Sequence, residues 1–477
     1  MAEGSSNRLF YSYKRKTTWA VKSVPLVFAV IATSSCVALS AEQGPTYCRD
    51  IAPLLNANCV TCHRPGEVAP FPLLTYKDVR KRGRLIAGIV KARIMPPWKP
   101  VPGYGKFVGA RQLTEEEVAL IQKWVKAGMP EGNQKDLPEP PKFSSGWQLG
   151  TPDMVVTMPE PYKLRAEGDD VLRNFVLPLT IPPGKYIRAV EYRPGNRRIV
   201  HHAVLAVNDA QLLQKLDDAD PGPGFAQASV PGWMLPGPLG IWTPGRQPMP
   251  LPEGFAVPWP PAANLVLQLH LSPSGKPESE RSSIGIYLTD QPPSKHTVDV
   301  LLEDLRIDIP PGEKAYRTRD SVILPVEVDV FGLYAHMHYL GKEVKVTARL
   351  PDGTEKTLLW INDWNFKWQT YYQNVEPVRL PANTELVMEC VHDNSVENRN
   401  NPSLVPQRVR WGEQTRNEMS DVLVQVIAVS ESDSLMLWKG ESERARKKER
   451  ERQKKRDTEL GAGGKVIKHC LPESGLK

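Results

Sequence analysis

The pattern CVTCH, which runs from Cys59 to His63, contains two thiols and an imidazole at a spacing that can hold one porphyrin. Two cysteines separated by two residues reach the two vinyl groups of a haem, and the next residue can place its imidazole beneath the iron. A C-x-x-C pair also occurs in zinc sites and redox disulfides, but the adjacent histidine and an export signal favour haem. We therefore predict one covalent haem c, attached through Cys59 and Cys62 and ligated by His63.

A methionine farther along the chain would complete the iron coordination and raise its reduction potential. Met95 is the preferred candidate because Pro96 and Pro97 fix the backbone directly after it. Met129 is the competing candidate, although it lies where a helix is expected to end. Either methionine could instead fill a gap in a hydrophobic core. We expect Met95 to be the sixth iron ligand.

Five of the nine histidines lie in three short segments that have the character of β-strands. His201 and His202 are adjacent, His270 lies in NLVLQLHL, and His336 and His338 are two residues apart. Because side chains alternate along a strand, His336 and His338 project from the same side and form a ready pair of metal ligands. The adjacent pair needs a β-bulge, or the use of different ring nitrogens, to reach one ion.

Imidazole and thioether ligands without a cluster of thiolates favour copper. Neither histidine pattern is specific by itself, since a His-x-His or a His-His pair is more often a hydrogen-bonded surface pair than a metal site. Only the combination of all three segments makes a copper site the better interpretation.

Four segments of the chain occur in the order found in a known enzyme family: VHHAVLAV, LVLQLHL, YAHMHYLGKEV and GEQTRNEMSD. Over residues 147–429 the chain therefore resembles the copper type II, ascorbate-dependent monooxygenases, which include peptidylglycine alpha-hydroxylating monooxygenase and dopamine beta-monooxygenase. The motifs are specific, and the similarity between them is weak. The resemblance implies two jelly-roll domains, each with one copper ion, that face each other across a solvent-filled cleft. Residues 47–132 similarly resemble small bacterial cytochromes c.

The resemblance also implies two sets of ligands: His201, His202 and His270 for an electron-transfer copper, and His336, His338 and Met419 for a catalytic copper. Met419 matches the family better than Met337 because Glu418 precedes it in the same Glu-Met context. Three further histidines match no ligand position and are interpreted as ordinary polar residues: His296, His392 and His469.

Several residues depart from the family pattern. Tyr334 stands where the peptide-processing member has an arginine that helps to hold the substrate carboxylate, and Leu423 replaces a substrate-binding tyrosine. Ser420 occupies the position of a family disulfide partner, so we expect Cys390 to be a free buried thiol. Both copper sites are therefore expected to persist without the family's substrate anchors.

These features predict a copper-dependent monooxygenase, also containing haem, that hydroxylates an unactivated or benzylic C–H bond of an unknown organic substrate with molecular oxygen. Electrons would come through the fused cytochrome, from an electron-donor protein, or from ascorbate or another small reductant. One alternative is an envelope protein that binds copper or transfers electrons without oxygenating a substrate. Another is a structural envelope protein in which the haem acts as a sensor.

The chain composition fits an ordinary multidomain protein. Its 477 residues suggest about three domains of ~150 residues each, and its 46 prolines favour strands, turns and ordered loops over long helical bundles. Part of the net charge of +7 lies in ERARKKERERQKKR near the C-terminus, so we do not predict nucleic-acid binding. Peripheral contact with a membrane stays open.

Residues 14–41 have the pattern of a secretory signal, with a basic start, the apolar run VPLVFAVIA and small residues after it. Cleavage would place the protein in the periplasm or outside the cell, and an uncleaved anchor is the alternative. Three cysteines beyond the C-x-x-C pair would then be left, an odd number that implies no disulfide framework: Cys48, Cys390 and Cys470.

The order of elements predicts a helical cytochrome c domain followed by two all-β jelly-roll sandwiches. Thr114 and Glu117 predict a capping box at the start of a helix that Gly128 ends. Short alternating runs such as VKVTARL and DVLVQVIAV predict the strands. The expected boundaries are a signal at 1–41, the cytochrome at 42–135, a proline-rich linker at 136–146, sandwiches at 147–297 and 298–438, and a basic tail, helical or disordered, at 439–477.

Overall fold

The computed structural model describes residues 44–143, 146–227, 230, 233–235 and 239–460, with only the backbone for 233–234 and 456–460. The predicted signal at residues 14–41, His469 and Cys470 lie outside the described residues. No helix in the described ranges is long and apolar enough to cross a membrane. From residue 44 onward the chain clusters into one compact unit.

The described part is mostly β-sheet, with five α-helices, which confirms the predicted β-rich architecture. The helices are α1 Ala52–Asn58, α2 Tyr76–Lys91, α3 Glu115–Lys126, α4 Ala210–Asp218 and α5 Glu431–Leu460, and a π-helical turn, Tyr47–Ile51, and a 3-10 turn, Gln134–Asp136, accompany them. The strands up to residue 289 are β1 Met154–Thr157, β2 Tyr162–Leu164, β3 Val171–Leu177, β4 Tyr186–Arg193, β5 Val200–Asp209, β6 Phe225–Ala226, β7 Trp233–Met234, β8 Ile241–Trp242, β9 Ala263–Leu271, β10 Glu278–Glu280 and β11 Ser283–Thr289. The strands that follow are β12 Thr297–Glu303, β13 Asp308–Ile309, β14 Tyr316–Ile323, β15 Val328–Met337, β16 Gly341–Arg349, β17 Glu355–Ile361, β18 Tyr371–Leu380, β19 Glu385–His392, β20 Val409–Arg410 and β21 Ser420–Ala428.

The first three helices enclose a core of their own, centred on Trp124 and Ile121. The predicted capping box begins α3, because Thr114 and Glu117 each accept a hydrogen bond from the other's backbone N–H. The helix ends at Lys126, before Gly128, as its sequence predicts.

Two antiparallel sheets and a second core form the middle of the chain. The larger sheet has the order β6-β3-β9-β5-β7, with β8 also paired to β5, and the smaller has the order β1-β11-β4. Leu265, Leu267 and Leu269 alternate along β9 and are fully buried in the core of this unit.

A second pair of antiparallel sheets encloses a third core. Their strand orders are β12-β21-β15-β18 and β14-β19-β16-β17. Val422, Val424 and Val426 of β21 point into this core. The change from one pair of sheets to the other falls between Thr289 and Thr297, close to the boundary expected at residue 297.

Residues 98–108, which we assigned to the helical domain, pack on the last β unit. The backbone N–H of Val108 donates to Gln373 O at 2.8 Å, so this segment extends the sheet beyond β18. The N–H of Val101 donates to Trp360 O at 2.8 Å and reaches the edge of the opposite sheet. Phe107 is buried in the same core, because the segment closes the gap between the two sheet edges.

Helix α5 begins at Glu431, before the expected start of the basic tail at 439, and it is not simply an exposed helix. Arg452 donates two hydrogen bonds of 2.8 Å to the buried carboxylate of Glu303. Lys448 donates to Asp320 at 2.7 Å. These ion pairs hold the helix against β12, which carries Glu303, and β14, which carries Asp320. The tail sequence alone does not reveal these two carboxylate partners.

Candidate metal centres

Three imidazoles from two neighbouring strands meet at one end of the middle β unit. Their ligand atoms lie within 4.8 Å of one another in the group His201, His202 and His270. The pairing of β5 with β9 shifts between Val200 and His202, so His201 is the extra residue of a β-bulge. The bulge lets two adjacent histidines turn toward the same point, as the adjacent pair in the sequence requires if both are to bind one ion.

The ring nitrogens of this group are arranged as ligands. Nδ1 of His201 and Nδ1 of His202 lie 3.1 Å apart, and two nitrogens bound about 2.0–2.1 Å from one ion are separated by about 3 Å. Nε2 of His270 donates to Asp170 at 2.7 Å, which leaves Nδ1 free to bind a metal. Nε2 of His201 is buried and has no hydrogen-bond partner among the described residues.

Burial keeps the imidazoles of His201 and His202 neutral. It lowers the pKa of His201 to about 3, with a further contribution from His270. Burial likewise lowers the pKa of His202 well below its usual value. Burial alone would raise the pKa of Asp170, but hydrogen bonds with His270 and Ser272, together with the charges of nearby imidazoles, outweigh it and lower that pKa. Neutral imidazole is the form that binds a metal.

The second group lies at the end of β15. The rings of His336 and His338 are 5.0 Å apart between centroids. Nδ1 of His336 donates to Gln369 Oε1 at 2.6 Å, and Nδ1 of His338 donates to Asn417 O at 3.1 Å. Both rings therefore keep Nε2 available, and burial lowers the pKa of each, that of His336 to about 4.

Met419 lies beside this pair. Met337 pairs with Ser420 in the ladder between β15 and β21, so continuing the register by one residue sets Met419 opposite His338 on the same face. Glu418 is fully buried, and its carboxylate accepts hydrogen bonds from the backbone N–H groups of Leu340 and Met419. Through these hydrogen bonds, the Glu418 carboxylate links the segment that follows His338 to the segment around Met419.

One aromatic ring contacts both groups of histidines. The Phe366 ring stacks on His201 at 5.3 Å and meets His338 edge-on at 5.9 Å. It also lies 4.4 Å from the Tyr339 ring and is only 4% exposed. The solvent-filled cleft implied by the resemblance is thus occupied here by a buried phenyl ring, because the chain between β17 and β18 folds across it.

The CVTCH motif follows the end of α1, where Cys59 caps the helix. Nδ1 of His63 donates to Phe71 O at 3.0 Å, which leaves Nε2 as a ligand atom. Cys59 and Cys62 are free thiols. Gly245 lies against Cys62, since a Cβ atom there would be 2.5 Å from the cysteine sulfur. The loop after β8 therefore reaches the motif, and β8 pairs with the strand that carries His202.

The two candidate methionines differ in their surroundings. The sulfur of Met129, which is also partly buried, packs against Gly83 of α2 and near the Trp124 ring, at the edge of the helical core. Met95 is half-buried and precedes a cis peptide bond to Pro96. The packing of Met129 is that of a core methionine, which leaves Met95 as the better candidate ligand.

Four residues of these centres were not singled out from the sequence: Asp170, Phe366, Gln369 and Asn417. A local signal existed only for Asp170, an acidic residue directly before a predicted strand. Of the departures from the family, Tyr334 is stacked near His336 at 6.5 Å, and Cys390 is a buried free thiol whose pKa is raised by burial. His392 is completely buried and hydrogen-bonded to Ser420, so it is not an ordinary polar residue.

No protein-family model and no curated protein matches the sequence. Among solved structures, PNGF-II is similar with 11% identity and a TM-score of 0.26, over 58% of this chain and 65% of that one. The major capsid protein P2 from Bacteriophage PM2 is similar with 8% identity and a TM-score of 0.26, over 58% of this chain and 97% of that one. Likenesses this weak carry no argument about function.

Proposed function

We propose that this protein is an exported copper-dependent monooxygenase, also containing haem, that hydroxylates a C–H bond of an organic substrate with molecular oxygen. The observation that carries the proposal is the hydrogen bonding of the imidazoles. His270, His336 and His338 each donate from one ring nitrogen to an oxygen acceptor and leave the other nitrogen free. Core histidines that serve packing alone have no need of this common orientation.

The two groups fit two copper ions of different character. His201, His202 and His270 offer three imidazole nitrogens, whereas His336 and His338 offer two, and the strand register puts Met419, a soft thioether ligand, opposite His338. When bound, copper would supply one-electron redox chemistry and the activation of oxygen. Each ligand set is completed by a carboxylate, amide or backbone carbonyl that orients the rings.

The chain's own residues prepare this environment. Phe366 and Tyr339 exclude water from the space between the two groups. Glu418 holds the backbone of His338 and Leu340 in place through hydrogen bonds. Such a dry and rigid site limits side reactions of a strong oxidant.

The helical unit fits a covalent haem. His63 is oriented through Phe71 O with Nε2 available, and Cys59 and Cys62 are unpaired at the end of α1. A cytochrome c of this kind would deliver electrons that it receives from a donor protein or a small reductant such as ascorbate. Covalent haem attachment and the signal at residues 14–41 together favour the periplasm or the cell exterior.

The first experiment counts the metals in the exported protein. We expect two copper ions with type II paramagnetic spectra and one haem that stays on the polypeptide in a denaturing gel. Met95→Ala should remove the sulfur-to-iron absorption band, and Met129→Ala should leave it unchanged. A protein without copper, or haem that is retained when Cys59 and Cys62 are both changed to alanine, contradicts the proposal.

The second experiment separates an oxygenase from an electron-transfer protein. Reduced protein mixed with oxygen should form hydrogen peroxide when no substrate is present. Met419→Leu should lower this rate at least tenfold, whereas the same assay on His296→Ala, which changes an exposed histidine, should match the parent. Copper that cycles between oxidation states in the parent without forming peroxide favours electron transfer alone.

A further inference from the structure

A cavity of about 300 Å³ lies where the helical unit meets both β units. Thr61 of the CVTCH motif, Trp98 and the pair Gln369 and Tyr371 line it. Arg111 and Arg246 also line it, and none of the described residues around it is acidic. The cavity therefore carries two guanidinium groups without a carboxylate of the protein to balance them.

Arg246 is the more unusual of the two arginines. Its Nη1 atom is sealed from solvent and has no hydrogen-bond partner among the described residues. The guanidinium lies 5.5 Å from the centroid of the Tyr371 ring, and burial lowers the pKa of Arg246 to about 10. The residue as a whole is partly exposed, and a guanidinium without a carboxylate beside it favours an anionic ligand at its accessible face.

A neighbouring cavity shows the contrast. It has a volume of about 340 Å³ and also touches Arg246, but Glu67 lies in its wall and pairs with Arg64 and Arg197. The wall of that cavity therefore holds two carboxylates, those of Glu67 and Glu191, beside its arginines. The first cavity has two arginines and no carboxylate among the described residues that line it.

The other polar groups of the first cavity divide into two kinds. The side chain of Gln369 already has hydrogen-bond partners, because it accepts a hydrogen bond from His336 and donates one to Phe366 O at 2.8 Å. The Tyr371 hydroxyl donates to Gln425 at 2.8 Å. Gln373 Oε1, in contrast, is buried without a partner among the described residues. A ligand that fits would bring an anionic group to the arginines.

We propose that this cavity is a binding site for an organic carboxylate, held by Arg246 and Arg111. A planar guanidinium pairs with a carboxylate through two parallel hydrogen bonds, which suits the size and charge of the site. Arg111 already donates to Gly245 O at 3.2 Å, so its guanidinium is oriented at the cavity wall. The site is separate from the family's substrate anchors, whose positions Tyr334 and Leu423 occupy.

Two kinds of molecule could bring a carboxylate to these arginines. A free carboxylate-bearing molecule would lie one residue from His336, because Gln369 contacts both the cavity and that imidazole. A propionate of a haem held at Cys62 would enter from the side of Thr61 and Gly245. The second source rests on the proposed haem attachment, whereas the first does not.

The test uses the full-length protein as purified, with benzoate as the probe and benzyl alcohol as its uncharged counterpart. Binding is measured by calorimetry, and the haem reduction potential is measured from pH 5 to 8. The first variant is Arg246→Gln, which keeps a polar side chain and removes its positive charge. The second is Arg246→Lys, which keeps the charge and removes the planar guanidinium that can form two parallel hydrogen bonds. Arg317→Gln is the control, because Arg317 is exposed on β14.

A free carboxylate site predicts that benzoate binds the parent and the control at least tenfold more tightly than benzyl alcohol does. Arg246→Gln should then weaken benzoate binding at least tenfold. The benzoate affinity of Arg246→Lys should lie between those of the parent and Arg246→Gln. A propionate in the site predicts no benzoate binding, together with a lower haem potential and a shifted pH dependence in Arg246→Gln but not in the control. The proposal is overturned if benzoate binds Arg246→Gln as tightly as the parent.

It is also overturned if benzoate does not bind and the haem potential of Arg246→Gln follows that of the parent. Loss of fold is not expected, since removing an unbalanced buried charge should not lower stability. Copper content in each variant shows whether the metal sites are intact. A failure of this proposal with two copper ions still bound is therefore distinct from a failure of the proposed function.

Discussion

The phenyl ring of Phe366 lies parallel to the imidazole of His201, with 5.3 Å between centroids and 15° between planes. The two residues come from different β units, and the same ring meets His338 of the second group. A single side chain therefore seals both histidine groups from solvent and makes them neighbours. Sequence spacing contains no sign of this contact.

Replacing Phe366 should open both groups to water. We expect Phe366→Ala to raise the rate at which diethylpyrocarbonate modifies the histidines of the metal-free protein at least tenfold. The substitution should also cost about 3 kcal/mol of stability. Phe143→Ala, at an exposed phenylalanine, is the control, and an unchanged modification rate in Phe366→Ala would show that the ring does not limit access.

Asp170 should tune the first metal site without being a ligand. Asp170→Asn removes the charge that orients Nε2 of His270, and losses of this kind lower metal affinity about 10- to 100-fold. Competition with a copper chelator measures the change. Asp169→Asn changes an exposed neighbour and should leave affinity as in the parent. Equal affinities of both variants would exclude a role for the Asp170 carboxylate.

The C-terminal helix should contribute to folding through Arg452. Arg452→Ala leaves the buried carboxylate of Glu303 without its two-bond partner, and we expect a loss of about 2 kcal/mol in the free energy of unfolding. Arg446→Ala, on the exposed side of α5, should change stability little. Chemical denaturation distinguishes the two, and equal stabilities would mean that the helix is not held by this pair.

His392 should make stability depend on pH. Burial lowers its pKa to about 3, below the value of about 6.5 for an unfolded histidine. The unfolded chain therefore binds the proton first, and stability falls as the pH drops below 6.5. The contribution is up to about 1.4 kcal/mol per pH unit.

The measurement compares unfolding of the parent and of His392→Gln between pH 7 and 5. The glutamine does not titrate and keeps a polar group near Ser420, so the variant should show the flatter dependence. Glu418 lies 3.9 Å from the imidazole and is unchanged in both proteins. Parallel curves for the two proteins would contradict the predicted titration.

Some of the architecture followed from local pattern. Thr114 and Glu117 predicted the start of α3, and alternating runs such as DVLVQVIAV predicted strands such as β21. The adjacent pair His201 and His202 required a bulge, and the strand has one there. Each of these features depends on neighbours within a few residues, where steric and hydrogen-bonding rules act directly.

Other features depended on segments far apart in the chain. Helix α4 was not expected, and residues 98–108 were expected in the helical domain although they extend the sheet beyond β18. The basic tail was expected to be helical or disordered, and no partner was expected for it, but Glu303 and Asp320 bind its helix. Charged and turn-rich segments do not specify their partners, because any complementary surface satisfies the same charge or backbone group.

The sequence by itself determined which residues can do chemistry: two thiols beside an imidazole, five histidines in strands and one methionine before β21. Only the tertiary structure decided which ring nitrogen each imidazole presents, since Asp170, Gln369 and Asn417 O supply the hydrogen bonds. It also decided that Phe366 lies between the two groups and that Nη1 of Arg246 has no hydrogen-bond partner among the described residues. These relationships join residues distant in sequence, and their energies arise from burial and hydrogen bonding that exist only after the units pack together.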